Sequence, residues 1–125
     1  SEKGTGEGEG ATLNVPLPAG TGDETYGAVA RDVIVPAVES FAPDFLLISA
    51  GFDAWRRDPV GGMQVTDQAF LRWGEMLGEV AQNVCEGRVL AVLEGGYDIR
   101  ALPILAHKHL LGLDGATERA ATSVS

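Results

Sequence analysis

Apolar residues along this chain fall into short runs and helical stripes, punctuated by glycine, proline and aspartate. The segment Leu13 to Val15 is apolar, but Pro16 and Pro18 stop it from continuing as a central strand. Gly20-Thr21-Gly22-Asp23 then supplies turn residues and a helix cap, after which Tyr26, Ala30, Val33, Ala37 and Phe41 recur at three- and four-residue spacing. That spacing predicts a helix with one buried stripe. Pro36 lies inside it and predicts a kink or a division, because its ring removes a backbone donor and crowds the preceding turn.

Phe45-Leu46-Leu47-Ile48-Ser49, bounded by Pro43 and Gly51, is a continuous apolar run that predicts a strand covered on both faces, and hence a parallel sheet. Gly51 to Val65 carries Asp53, Asp58-Pro59 and Gly61-Gly62 and reads as a long loop. Thr66 is placed to cap a helix in which Phe70, Trp73, Leu77, Val80 and Val84 share one face, with Gly87 as its stop. Arg88 to Leu93 reads as a second buried strand and Glu94-Gly95-Gly96-Tyr97 as a tight loop. Leu102 to Leu113 reads as a last helix that tolerates Pro103 in its first turn. The order strand, helix, strand, helix, strand, helix is that of an α/β fold with a parallel sheet and flanking helices. Residues 1–10, with four glycines and three glutamates, are expected to be a flexible segment, 11–115 the α/β domain, and 116–125 a disordered tail.

Composition narrows the partners. A net charge of −9, from 9 basic and 18 acidic residues, repels a phosphate backbone, so direct nucleic-acid binding is not expected. A cationic partner such as a lysine-rich peptide or a polyamine would be drawn in, although for charge alone solubility is the simpler explanation. No apolar run reaches the roughly 18 residues that span a bilayer, and no basic segment precedes an apolar one. No membrane association is expected, and the chain reads as cytoplasmic. Cys85 is the single cysteine and reads as a buried, inert thiol. Gly6, Gly8 and Ala11 fit a loose dinucleotide pattern, but they precede the first strand instead of following one, so that reading fails.

In a parallel sheet, ligands bind beyond the C-terminal ends of the strands. Asp53 lies four residues past Ser49, and Tyr97 four residues past Leu93. If the two strands are neighbours, a carboxylate suited to a divalent metal and a phenol suited to an oxyanion share one cleft. Gly95 and Gly96 permit a sharp turn and close approach of backbone to ligand. Spacing alone favours an aspartate that caps its loop and a tyrosine packed over the sheet edge, and does not establish catalysis. His107 and His109 stand two apart on a helix, point in different directions, and read as solvated or helix-end residues that do not share a metal.

Several segments occur together and in order: Asn14-Val15-Pro16-Leu17, Gly20-Thr21-Gly22-Asp23, Ser49-Ala50-Gly51-Phe52-Asp53-Ala54, Arg57-Asp58-Pro59, Gly61-Gly62-Met63 and Leu93-Glu94-Gly95-Gly96-Tyr97-Asp98. From about Gly6 to about Gly112 the chain resembles the histone deacetylase, acetylpolyamine amidohydrolase and acetoin-utilisation family, in its C-terminal part. The resemblance implies part of an arginase/deacetylase-like fold and zinc-dependent removal of acetyl groups from acetyl-lysine or acetylated amines. It assigns a metal-ligand role to Asp53 and a carbonyl-binding role to Tyr97, and it makes Val60 a wall of the acyl channel. Trp55 departs from the family, where many relatives have histidine. The family's Asp-X-His ligands and histidine pair fall upstream of the matched segment, so zinc is expected for the complete domain and not for this chain alone. Two functions follow: the C-terminal portion of a deacetylase, inactive in isolation, or a binding or assembly module on the same scaffold. A partial sheet also leaves an edge and apolar surface that favour self-association.

Overall fold

The computed structural model describes residues 2–123, and side chains as far as 115. Helix α1 (Asp23–Val29), a π-helical turn (Ala30–Ile34) and helix α2 (Val35–Phe41) form one broken helical segment. Strand β1 (Leu46–Ala50), helix α3 (Asp67–Cys85), strand β2 (Val89–Leu93) and helix α4 (Leu102–Ser123) follow. β1 and β2 pair in parallel, from Leu46 beside Val89 to Ala50 beside Leu93. The α/β class with a parallel sheet and flanking helices is therefore as the hydrophobic pattern predicts.

Three expectations need correction. Leu13–Val15 is irregular, so the sheet among the described residues has two strands. The prolines on its C-terminal side remove ladder donors and leave it without a partner strand. The sheet is not covered on both faces: Leu47 is 70% exposed, and Leu90 and Val92, which share its face, are about half exposed. The other face carries the half-buried Ile48, Ala50 and Ala91. Finally, Phe41 leaves the predicted stripe and is 77% exposed. A π-turn inserts one residue, which rotates everything beyond it by about 100°. Pro36, in the first turn of α2, lies directly after this widened turn, which accommodates its missing N–H.

Thr66 and Gly87 bound α3 as expected, but the cap of α1 differs. Gly22 is the residue before α1, and Asp23 turns instead to α3: its carboxylate accepts from Thr66 N at 2.7 Å and Thr66 Oγ1 at 2.5 Å, and it pairs with Arg72 at 3.1 Å. Asp23 thereby joins the start of α1 to the start of α3. At its other end α3 closes with Glu86 and Gly87 both at positive φ, 54° and 74°, and Gly87 N donates to Ala81 O.

Among the described residues, helices α3 and α4 make the most extensive packing between elements. Their backbones approach so closely that a Cβ at Gly74 would stand 2.2 Å from His109 O, and one at Gly112 2.3 Å from Leu71 O. Both positions need glycine. Cys85 is buried, as expected. His109 is not solvated but 6% exposed, packed edge-on to Phe52, with Nδ1 3.2 Å from Phe70 O. His107 is exposed on another side of α4, so the two histidines do point apart. The expected tail at 116–125 falls on side chains outside the described residues, while the α4 backbone continues to Ser123. No helix is long and apolar enough to cross a membrane among the described residues.

One core cluster lies beyond the C-terminal ends of the strands, where Phe52, Val65, Ala69, Phe70, Ala101 and Leu105 are all buried, while Val80, Ala81 and Cys85 are buried along the last turns of α3. Phe52, Phe70, Trp73 and Tyr26 form a chain of rings with successive centroids 5.1 Å apart. The loops after β1 and β2 therefore rest on a buried cluster of large side chains.

Candidate functional site

The site begins where the two strands end. Their pairing continues past the strands themselves: Glu94 N donates to Ala50 O at 3.0 Å and Phe52 N to Gly95 O at 2.8 Å. The neighbouring loops thus run side by side, with main-chain bonds satisfying groups that would otherwise be orphaned. Phe52, only 3% exposed, anchors the first loop in the core.

Asp53 follows directly and is half-buried. Its carboxylate rests on the glycine backbone of the second loop. A Cβ at Gly95 would lie 2.9 Å from Asp53 Oδ2, and one at Gly51 3.2 Å from Oδ1. Gly95 is thus small because the carboxylate fills the space a side chain would take. Gly96 has a φ of 126°, a conformation that favours glycine, and a Cβ there would press on Leu102 and Phe52. Among the described residues no hydrogen bond or ion pair reaches the Asp53 carboxylate. Its charge is felt at Tyr26, whose hydroxyl is raised above the ordinary tyrosine value by burial first and by Asp53 second.

Asp58, a turn residue by sequence, proves to be the junction between the two loops. It is 8% exposed, and its Oδ1 accepts from Val60 N and Gly61 N, each at 2.9 Å. Its Oδ2 accepts from Tyr97 N at 2.7 Å across the gap between the loops. Burial alone would raise this carboxyl, but the amides of Tyr97, Gly61, Val60 and Asp98 outweigh it and hold the group below the ordinary carboxylate range. The available sequence signal was the turn itself, an aspartate placed to bond amides two and three residues onward. The bond to Tyr97, 39 residues away, leaves no such mark.

Tyr97 is 52% exposed and Val60 70% exposed. Beyond Tyr97, Asp98 Oδ1 accepts from Arg100 N and Ala101 N at 2.9 Å and turns the chain into α4. Of the residues singled out by sequence, Asp53 and Gly95 are in direct apposition, and Val60 and Tyr97 are held by one carboxylate. As a metal site the arrangement is incomplete. Asp53 fits one oxygen ligand, yet no group of three or more metal-binding side chains occurs among the described residues.

Residues 1–113 match the histone deacetylase domain family. Histone deacetylase 10, chloroplastic, of Oryza sativa subsp. japonica is 46% identical over 99 residues, covering 79% of this chain and 22% of the rice protein. The crystal structure of the HDA15 HD domain superposes with a TM-score of 0.81 at 39% identity, over 90% of this chain and 31% of that one. An acetylpolyamine aminohydrolase from Burkholderia pseudomallei gives a TM-score of 0.81 at 32% identity, over 91% and 32%. The chain therefore spans less than a third of the length of each of these relatives. With the match running through both strand-end loops, this chain belongs to the histone deacetylase family.

Proposed function

We propose that this chain supplies the C-terminal portion of a zinc-dependent amidohydrolase that removes acetyl groups from acetyl-lysine or acetylated amines. The supporting observation is the pairing of the two strand-end loops, which lays the Asp53 carboxylate on Gly95, two residues before Tyr97. Asp53 is the oxygen ligand this chain offers to the metal. When bound, zinc supplies Lewis-acid polarisation of the acetyl carbonyl and an activated water. The Tyr97 hydroxyl donates to the carbonyl oxygen as negative charge develops on it. Val60 lines the acyl channel, and Gly95 and Gly96 let the backbone stand close to the substrate.

The histidines that move protons in this family are not supplied by His107 or His109, one exposed and the other enclosed in the core. The isolated chain is accordingly inactive. Its open sheet face, with Leu47, Leu90 and Val92, favours self-association. A chimera tests the reading: this chain replaces the segment it matches in the Burkholderia acetylpolyamine aminohydrolase, which retains that enzyme's upstream half. Zinc binding and acetyl-amine hydrolysis are the expected result, with neither in the chain alone. Tight zinc binding and acetyl-lysine cleavage by the isolated chain would show that its site is complete. A folded, zinc-loaded but inert chimera would favour a binding or assembly module.

A further inference from the structure

The two loops that carry the site are joined by one buried side chain that has no place in the chemistry above. We infer that Asp58 is the positioning residue for this site, a carboxylate clamp that sets the Tyr97 loop against the Asp53 loop. The inference rests on the deacetylase reading for its catalytic meaning and on geometry for its substance.

Each oxygen of Asp58 has a separate task. Oδ1 gathers the amides of Val60 and Gly61 and shapes the first loop. Gly61 in turn underlies the metal-ligand candidate, since a Cβ there would stand 1.7 Å from the Asp53 backbone oxygen. Oδ2 reaches across to the amide of Tyr97. The channel wall, the loop beneath Asp53 and the phenol-bearing residue are therefore tied to one another through a single carboxylate, which completes the connection begun by the main-chain bonds. Charge-assisted bonds of this kind are shorter and stronger than neutral ones, and in a buried setting they fix geometry tightly. An amide side chain cannot replace this one. Asparagine retains a single acceptor oxygen and turns its NH₂ toward an amide that also donates.

The first test reads the clamp without any activity. Amide hydrogen exchange in the 125-residue chain is compared with that in Asp58→Asn and Asp58→Ala. Protection should disappear at Tyr97, Val60 and Gly61 in Asp58→Ala and on one side of the clamp in Asp58→Asn, while amides of α3 and β1 keep theirs and report an intact fold. Unchanged exchange at Tyr97 in both variants overturns the inference.

The second test uses the zinc-loaded chimera. Asp58→Asn should lower kcat on the order of 10- to 100-fold, as expected for a small misplacement of a catalytic group, a larger change than in KM or zinc content. Lost protection with an unchanged kcat, where Tyr97→Phe does lower it, overturns the positioning role. If Tyr97→Phe has no effect either, the site reading fails instead, and the exchange data still decide whether the clamp exists.

Discussion

Tyr97 stands half exposed on a backbone that is held on both sides, by Asp58 through its own amide and by the Asp98 turn behind it. In the zinc-loaded chimera, Tyr97→Phe should reduce kcat by about 100- to 1000-fold, the usual effect of removing one oxyanion donor. Zinc stoichiometry should not change, and a loss of less than about fivefold would remove Tyr97 from that role. Gly95→Ala tests its neighbour. The added methyl would meet the Asp53 carboxylate at 2.9 Å, so the carboxylate must move, and weakened zinc binding by the chimera is expected in a competition titration. His109 makes a different prediction. Burial lowers its pKa below the ordinary 6.5, against the opposing bond to Phe70 O, so the fold favours the neutral ring. A carbonyl accepts only, which puts the proton on Nδ1 and leaves Nε2 without a partner among the described residues. Since the unfolded chain takes up a proton first, His109's contribution is fully present above about pH 6.5 and is lost as pH falls below it toward the folded value. Denaturant midpoints measured from pH 7.5 to 5 should decline, and His109→Gln should flatten that slope.

At the scale of elements, the helical segment from Asp23 to Phe41 shows what a periodic pattern does and does not reveal. Pro36 marked the interruption, but a three- and four-residue stripe assumes unbroken α-helix, and the π-turn shifts the phase after Ile34. Asp23 likewise looked like a cap for its own helix and serves α3 instead, a bond across 43 residues that no local window contains. The α3–α4 pair offers the sharpest test of packing. Gly74→Ala would place a methyl 2.2 Å from a backbone oxygen that cannot rotate aside. A loss of about 1–3 kcal/mol is expected from overpacking, and an unchanged melting temperature would mean that the helices are set further apart.

Over the whole molecule, Leu46–Ala50, Asp67–Cys85 and Val89–Leu93 were legible because short apolar runs and a long amphipathic stripe are local signals. The uncovered sheet face was not, since an apolar run does not say whether both of its sides find partners. Leu47 and Val92 look as buried in sequence as Ile48 and Ala91. Of the site, Asp53, Gly95 and Tyr97 were visible as strand-end residues, whereas Asp58 was hidden because its partner lies on another loop. The open face also sets an expectation for solution behaviour. Sedimentation of the chain should show dimers or larger species, and Leu47→Glu should shift them toward monomer. A stable monomer at high concentration would count against this association.

The continued pairing beyond β1 and β2 has one more consequence. Main-chain bonds from Glu94 to Ala50 and from Phe52 to Gly95 join the loops, with the buried Asp58 completing the connection, so the spacing between them depends little on which side chains line the strands. The pair of loops is in effect a cassette. Strand residues on the open face take no part in these bonds, and because Val65 closes the first loop onto Ala54 and Arg56, an engineer moving the pair into another parallel sheet would carry residues 50–65 with 93–98.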